Sequence, residues 1–465
     1  MNPKIFYCLI LLLIHFPSAA SPDTLYIISD IQISGNRITH ESVIIRELTF
    51  NTGDTISLLN IAGVMQRSRD NIMNTSLFNF VTVDYSSKDT YVTVFITVTE
   101  RWYIWPVPIF EHAERNLGAF IKNPNWDRIN YGLALNWANF RGRKETMYFK
   151  ARLGYKEQFS IIYNKPNFGS DQNFGFTAMI NKFRMHEVNI TTINNKPVYL
   201  KNENQYLMED FGSSVTLSYR NYLYFQHFIS LNYSHITYRD SASHIDFLGK
   251  PFQQKSNFFT LEYILEYDIR DSKYYPLEGE YFRINLKQRG LGLIADYDEN
   301  RTSVLLNGTY HKKWSDRLFH NQAIRIYLSG DRPDPAFYKA GIGYVAYMRG
   351  YELNTVDATS FGVLSNNLKY CVMHEKAFTL PVIPWPQFNK SYLSVYANLF
   401  VDAGYSRYKQ PDSNFNTLRN QLLYSLGVGI DFVTYYDQVL RLETSVNKEG
   451  VVGFFIHTEV PFSRW

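Results

Sequence analysis

The sequence predicts a mainly β protein in which a transmembrane antiparallel β-barrel follows one small α/β domain. Aromatic residues make up 17% of the chain, with 36 Tyr and 34 Phe, although the mean hydropathy is −0.26. Membrane barrels use such residues as outer girdles around a polar interior. From Trp102 onward, apolar residues recur with a period of two between turn residues. No segment after residue 20 contains the roughly 18 apolar residues of a membrane-spanning helix.

The first segment, residues 1–20, has the composition of a cleavable secretory signal. It joins a basic start to an apolar run at Ile5–Ile14 and ends in the small residues Ser18-Ala19-Ala20. Of the two cysteines, Cys8 lies in this signal and Cys371 remains, so a disulfide framework is excluded and a lipid anchor is not expected. The formal net charge of +4 is too small to indicate nucleic-acid binding.

Residues 21–100 mix strand and helix patterns and predict a separate domain of order β-α-α-β-β. The strand-like runs are LYIISDIQISG, FNFVTVDY and YVTVFITVTE, and helical spacing occurs in HESVIIREL and LLNIAGVMQRSRDNIMN. Thr39 is the predicted N-cap of the first helix, and Gly53-Asp54 marks the break between the helices. The run FVTVDYS is an expected sheet edge, with Thr82 as an edge position where an extended peptide could pair.

Residues 101–465 predict the barrel, and their alternation separates a lipid face from a lumen face. In YLSVYANLFVDAG, Phe400, Asp402 and Gly404 lie on one side, opposite an apolar side of Leu, Val and Ala. Charges on the other strands also fall on one face, which we assign to the lumen. A large soluble β-sandwich also alternates, but it gives no reason for apolar outer faces on nearly every strand, or for the amphipathic terminal run GFFIHTEVPFSRW.

A long connection interrupts the barrel at residues 331–360. Counting back from the last strand places it on the side opposite the small domain. At about 30 residues it exceeds a simple turn, so we expect a functional or infolded loop, and it contains the run MRGY. The strands around it are predicted near 322–330, 361–372, 391–404, 423–432, 438–446 and 452–462.

Five stretches in order carry a family pattern: ISGNRITHESVIIRELTFNTGD, NFRGR at 139–143, YDIRDSKYYPLEGEYF at 267–282, MRGY and FVDAG. Together they resemble the BamA/TamA-type barrels of the bacterial surface antigen superfamily, which assemble or translocate proteins at the outer membrane. The resemblance implies one polypeptide-transport-associated (POTRA) domain before a barrel of about 16 strands. The chain departs from the pattern in NNLKYCV, where Lys369 and Cys371 replace the usual Glu and Arg. This departure predicts an altered luminal network.

The resemblance also implies a role for Arg349. A lipid-facing arginine at the bilayer midplane costs about 2–4 kcal/mol, so the loop is expected to fold into the lumen, where Arg349 pairs with Asp402 as a latch. Gly350 would allow close approach to the wall. The alternative is a solvated loop arginine and one luminal carboxylate among many. The predicted latch comprises the loop residues Met348, Arg349, Gly350 and Tyr351 and the wall residues Phe400, Asp402 and Gly404.

A second polar group is predicted on the lumen face around Glu266, Asp268 and Arg270. We expect structural ion pairing there rather than a substrate site. Histidines such as His311 and His457 are far apart in the sequence, and neither a metal site nor a nucleophile network is expected. The sequence therefore predicts no cofactor and no enzymatic activity.

The best candidate for the first barrel strand is RWYIWPVPIFEH. Residues two apart in a strand point their N–H groups the same way, so Pro106 and Pro108 both remove donors from one edge. We expect a poorly bonded seam between 103–111 and 453–462 that can part sideways. The alternative places both prolines in a linker. The expected seam residues are Pro106, Pro108, Phe455 and Phe462.

Three functions remain open from the sequence. The leading one is an insertase or translocator of the bacterial outer membrane, whose N-terminal domain receives clients in the periplasm. A passive pore for small solutes requires an open lumen, and a barrel enzyme such as a lipase requires a Ser-His-acid group. Insertion and export are not distinguished. The expected partners are outer-membrane lipid, unfolded or strand-forming client polypeptides and at most a few periplasmic accessory proteins, but no nucleic acid.

Overall fold

The computed structural model describes residues 25–112, 128–169, 171–239, 255–294, 300–330, 340–379, 381, 383–384, 386–409, 416–434 and 438–459. The predicted signal at 1–20, the start of the long connection at 331–339 and Phe462 lie outside this part of the chain. Within the described ranges, no helix combines the length and the hydropathy needed to cross a membrane.

The N-terminal domain, described throughout residues 25–100, packs helices against one face of a four-stranded sheet. One face of the last strand contributes alternate valine and isoleucine side chains to the core, because strand residues two apart share a face. Ile44 and Ile72 from the helices cover that face and are fully buried. The elements are β1 (Leu25–Ser34), α1 (Glu41–Ile45), β2 (Thr55–Ser57), α2 (Leu58–Met73), β3 (Phe78–Lys88) and β4 (Tyr91–Glu100), with sheet order β2-β1-β4-β3.

The start of α1 differs from the sequence-based expectation. Its N-cap is His40, without a side-chain cap, so the prediction of Thr39 is wrong. The Thr39 hydroxyl instead donates to Glu100 Oε1 at 2.6 Å and lies 3.0 Å from the Tyr103 hydroxyl. Its oxygen is thus committed to the junction with the barrel. The short strand β2 is an addition to the predicted order of elements.

The rest of the chain forms an antiparallel sheet of 16 strands within the described residues, which confirms the predicted fold class. Neighbours in the chain are neighbours in the sheet, in the order β24-β23-β22-β21-β20-β17-β16-β15-β14-β13-β12-β9-β8-β7-β6-β5. The strands are β5 (Ile104–His112), β6 (Ile129–Phe140), β7 (Glu145–Gly154), β8 (Lys156–Phe168), β9 (Phe174–Met185), β12 (Met208–Tyr222), β13 (Phe225–Tyr238), β14 (Lys255–Asp268), β15 (Gly279–Arg289), β16 (Arg301–Lys313), β17 (Leu318–Ser329), β20 (Ser360–Thr379), β21 (Lys390–Arg407), β22 (Leu422–Thr434), β23 (Gln438–Asn447) and β24 (Val452–Glu459).

Smaller elements lie in the connections. Two short hairpins, β10 (Glu187–Ile193) with β11 (Lys196–Lys201) and β18 (Gly341–Ile342) with β19 (Val356–Asp357), belong to one end of the sheet, and the helix α3 (Pro386–Asn389) belongs to the other. We call the end beside the N-terminal domain the domain end, and the opposite end the loop end.

Alternation along each strand separates the two faces as predicted. On β21, Leu399 and Val401 are each 47% exposed, whereas Asn398 and Asp402 are buried. Because successive side chains point to opposite faces, an apolar outer surface and a polar interior follow from the same stretch of sequence. The interior is where the candidate site lies.

Candidate functional site

The loop between β17 and β20 folds back into the barrel. We call its described part, residues 340–359, the inner loop. Ile342, Met348 and Tyr351 are at most 1% exposed and pack in one apolar cluster with Phe361 of β20 and Leu423 of β22. A loop with its own apolar core is held in place by burial as well as by polar contacts.

Arg349 occupies the centre of this contact. Its Nε donates to Asp402 Oδ2 at 2.8 Å, its Nη2 donates to Asp402 Oδ1, and its Nη1 donates to Asn367 Oδ1 at 2.7 Å. Nη1 also lies 3.4 Å from Glu443 Oε1. The guanidinium carbon is 3.7 Å from the centre of the Phe400 ring. A bidentate pair with a second carboxylate and an aromatic face is a strong way to hold a buried arginine.

The neighbours of Arg349 fit the wall closely. Gly350 has φ = 82°, and a Cβ there would lie 2.9 Å from Cβ of Ser425, so both the backbone and the space require glycine. Asn447 Nδ2 donates to Gly350 O at 3.0 Å. Met348 Sδ would lie 2.9 Å from a Cβ at Gly404. The structure thus brings together all seven residues of the predicted latch.

Sequence reasoning missed two members of this group. The alternation in VLRLETSV places Glu443 on the lumen face of its strand, but strand parity alone does not fix which luminal side chains meet the loop. Asn367 belongs to the divergent run NNLKYCV and accepts from Arg349. The sequence shows an asparagine at this position, but it does not indicate that Arg349 is its partner.

Lys369, the other departure in that run, has its own partners near the domain end. Its Nζ lies 3.6 Å from Asp431 Oδ2 and 3.7 Å from the centre of the Tyr275 ring. The Tyr275 hydroxyl donates to the same Asp431 oxygen at 2.7 Å. Tyr275 belongs to the turn 269–278 between β14 and β15, which therefore reaches across the lumen. Cys371 is a buried free thiol beside this group.

The predicted ion-pair group is only partly brought together. Arg270 donates to both carboxylate oxygens of Asp268, at 2.8 and 2.7 Å, and stacks over the Tyr281 ring. Glu266 lies instead 3.5 Å from Arg283 on the neighbouring strand. Glu266 and Arg283 face each other across adjacent strands, and such a pair stabilises a sheet. Asp268 and Arg270 form a local pair.

The N-terminal domain is fixed to the domain end by a buried glutamate. Both Glu47 carboxylate oxygens accept from Arg220 of β12, at 2.9 and 2.8 Å, and Lys144 Nζ lies 3.7 Å away. Burial by itself would raise the pKa of Glu47, but the cations Lys144 and Arg220 outweigh it and hold that pKa below its ordinary value. Burial lowers the pKa of Lys144 to about 8.

A second contact joins the domain to the turn 269–278. Asn74, the C-cap of α2, donates to the carbonyls of Arg270 and Asp271 at 3.2 and 3.1 Å. The Ser76 and Tyr274 hydroxyls are 3.0 Å apart. The domain therefore binds the domain end of the barrel at two places, β12 and the turn 269–278.

The loop end is covered as well. The hairpin β10–β11 reaches the inner loop, where Asn195 O accepts from Thr355 N at 2.7 Å, and Thr192 donates to Asp357 at 3.1 Å. Asp357 also pairs with Arg419. Two connections and the inner loop are thus bound to one another on this side.

The first strand, β5, contains both prolines and pairs with β6, so they are not in a linker. Tyr103 O accepts from Ala138 N at 2.8 Å, which turns Tyr103 towards β6. Hydrogen-bonding direction alternates along a strand, so Pro106 and Pro108 point away from β6. The outer edge of β5 therefore lacks two donors.

The last strand, β24, is at the opposite end of the sheet order from β5. Val451 O accepts from Asn447 N at 3.1 Å, so Phe454 and Ile456 direct their backbone groups away from β23. Phe455 points to the lumen side. Within the described residues, neither β5 nor β24 has a second strand partner.

The sheet edge of the N-terminal domain has a defined polarity. Val81 O accepts from Arg69 Nε at 3.1 Å, so the backbone N–H and C=O groups of Val81 point away from β4. Backbone direction repeats every second residue, so those of Tyr85 point the same way. Thr90 O, just before β4, accepts from Ile27 N of β1 at 2.8 Å. The backbone groups of even-numbered residues in β4 therefore point to β1, and those of odd-numbered residues point to β3. Thr82 pairs with one of these and faces inward. The expectation that Thr82 presents an edge N–H is therefore wrong.

No group of metal-ligating side chains with suitable geometry occurs in the part of the chain that is described.

Comparisons with known proteins match this architecture. Residues 139–434 match the family model of the Omp85 superfamily domain, and residues 26–101 match the POTRA model, described as a surface antigen variable number repeat. No curated protein sequence matches the chain. Among solved structures, BamA from Haemophilus ducreyi lacking POTRA domains 1–3 is similar, with 14% identity, 93% of this chain and 84% of that chain covered, and a TM-score of 0.51. CdiB from Escherichia coli is also similar, with 11% identity, 93% of this chain and 75% of that chain covered, and a TM-score of 0.52.

Proposed function

Because this chain belongs to the Omp85 superfamily, we propose that it inserts or exports unfolded or strand-forming client polypeptides at the bacterial outer membrane. The barrel lies in that membrane and the N-terminal POTRA domain lies in the periplasm. The domain end is then periplasmic and the loop end extracellular. A general role as a protein insertase or translocator follows from the family, and the proposal adds a route for the client.

The observation that carries the route is the outer edge of β5. Pro106 and Pro108 remove donors from it, and backbone groups in lipid must be satisfied within the protein. A closure of β5 against β24 is therefore weaker than the bonded strand pairs elsewhere in the sheet. We assign the client's exit to this seam, where a client strand can add to an edge.

The position of the inner loop inside the barrel supports a lateral route over a passive pore. The inner loop contacts the hairpin β10–β11 at the extracellular end, and the POTRA domain is bound to the barrel at the periplasmic end. A pore for small solutes requires an open path through the barrel, which this arrangement opposes. We further propose that Arg349 and Asp402 form the latch that keeps the inner loop inside.

The client's entry point is assigned to the edge of β3. Its outward N–H and C=O groups are those of Val81 and every second residue after it. An edge strand offers a row of such groups to any extended peptide, whatever its sequence. We therefore propose at most a few periplasmic accessory proteins as further partners.

The proposed division of the chain is a signal at 1–20, the POTRA domain at 21–100 and the barrel at 101–465 with its infolded loop at 331–360. No enzymatic activity and no cofactor are proposed for it.

The test is to lock the seam. Cysteine pairs placed between 104–110 and 454–458, in a Cys371→Ser background, are oxidised and the purified protein is reconstituted in liposomes. The measurement is the rate at which an unfolded barrel client becomes heat-modifiable on a gel, or crosses the membrane if it is exported. We expect locking to stop this reaction and a reductant to restore it.

The matched control is a cysteine pair at Leu306 and Ile326, which already face each other in bonded strands. Oxidation there should leave the rate unchanged. Full activity of the locked seam would refute the route, and ion conductance through the unlocked protein in the absence of client would favour the pore.

A further inference from the structure

The inner loop reaches beyond the wall strands to the last strand of the barrel. Glu352, three residues after Arg349, has a carboxylate oxygen 3.9 Å from Nε2 of His457 on β24. The same His457 nitrogen lies 3.3 Å from Glu443 Oε2 on β23. One imidazole therefore meets two carboxylates, one from the loop and one from the neighbouring strand.

The surroundings make this contact consequential. The side chains of Glu352 and Glu443 are 13% and 3% exposed. No side chain among the described residues donates a hydrogen bond to Glu352. A carboxyl group taken out of water in this way needs a polar partner nearby. His457 is the residue of β24 that faces it.

The other charges around His457 belong to the same group. Arg349 lies 3.4 Å from the second oxygen of Glu443, and it is bound to Asp402. Arg441 stands directly opposite His457 across the β23–β24 ladder. The chain of contacts thus runs from the wall at Asp402, through the loop arginine and Glu443, to the strand that borders the seam.

From this geometry we propose that His457 is a positioning residue through which the inner loop holds β24 beside β5. The Glu352 and Glu443 carboxylates hold the imidazole, so β24 stays in place while the loop is inside the barrel. Release of this contact frees the edge of β24. The consequence for clients rests on the proposed function, but the contact itself can be tested without a client.

The strand β24 is outermost, so it has bonded neighbours on one side only among the described strands. Its opening is governed by the ladder to β23 and by side-chain contacts such as that of His457. Loss of this side-chain contact should therefore show first in the protection of this strand, since local opening follows local contacts.

The experiment measures hydrogen exchange by mass spectrometry in the full chain reconstituted in lipid. His457→Glu places a third carboxylate against Glu352 and Glu443, and should speed exchange in 452–458 by roughly tenfold. Glu352→Gln and His457→Gln should give smaller increases in the same segment. The charge swap Glu352→Lys with His457→Glu should recover most of the protection, because the introduced lysine faces the introduced carboxylate and attracts it.

The matched control is Lys287→Glu. It also brings a carboxylate to a luminal glutamate, since Lys287 Nζ lies 3.4 Å from Glu262, but on strands far from β24 in the sheet. Exchange in 452–458 should not change. A merely structural loss would raise exchange throughout the barrel and would not be recovered by the swap.

Unchanged exchange in 452–458 for His457→Glu, with a heat-modifiable barrel, would overturn the proposal. If that variant does not fold, unchanged exchange in both glutamine variants overturns it instead. These results do not depend on client transfer, so failure of the locked-seam test and failure of this one can be told apart.

Discussion

Removal of Arg349 should release the inner loop more strongly than removal of Asp402. Arg349→Ala leaves two carboxylates, Asp402 and Glu443, that are 1% and 3% exposed. Asp402→Ala leaves the arginine with Glu443 and with the amide of Asn367. An uncompensated buried charge costs about 3–5 kcal/mol. The first substitution should fall at the upper end of this range and the second at or below its lower end.

The assay is cleavage of the loop by a non-specific protease in the reconstituted protein. When opening is fast compared with cleavage, the rate follows the population of the open state. A loss of about 3 kcal/mol corresponds to roughly 150-fold more of the open form. Arg325→Ala is the matched control, because Arg325 also reaches the loop, through the Val345 carbonyl at 3.1 Å, and should give a small change.

The double substitution decides between coupling and independence. With both Arg349 and Asp402 removed, Asn367 loses a donor and Glu443 is the one remaining carboxylate of the latch network that loses a partner, while His457 remains beside it. The double variant should therefore be no worse than Arg349→Ala. Losses that add would show that the two residues act separately, and the latch would be refuted.

Three other predictions concern the entry edge, the docked domain and the divergent lysine. Tyr85→Pro should lower client assembly while the barrel stays heat-modifiable, because it removes an outward donor. Thr82→Pro should instead unfold the domain through the β4 ladder, and equal effects of the two on assembly and folding would count against strand addition. The pKa of Glu47 is held below its ordinary value of 4.5, so docking should be intact above pH 4.5 and weaken as the pH falls below it. Proteolysis of the POTRA domain should show this profile, and Glu47→Gln should remove it. Lys369→Met removes a cation from the buried Asp431 and should lower the temperature at which the barrel loses its compact gel mobility, whereas Lys369→Arg should not.

The periodic features of this fold were predictable from the sequence. Alternation over short segments is a local property, so it gave the lumen face of Asp402 and the positions of the last strands. The pairing of Arg349 with Asp402 came from the family resemblance, and the structure places the two side chains in contact. Pattern and resemblance together therefore reach the centre of the candidate site.

The missed features depend on contacts that local patterns do not encode. Thr39 has the side chain of an N-cap, but Glu100 and Tyr103 draw it into the domain junction. The direction of the Thr82 backbone depends on which side of β3 is paired. Glu47 and Arg220 are in contact because the domain docks on the barrel. The local sequence around either residue does not predict this pairing.

The proline edge of β5 also has a kinetic consequence. A client strand bonded to that edge gains no hydrogen bond from Pro106 or Pro108, and each missing bond weakens the association by about 1 kcal/mol net. Two such losses amount to about 2 kcal/mol, or roughly a 30-fold shorter residence time if association is unaffected. Under the proposed route, the edge is thus suited to brief occupation, so that one barrel would release each client strand quickly and accept another.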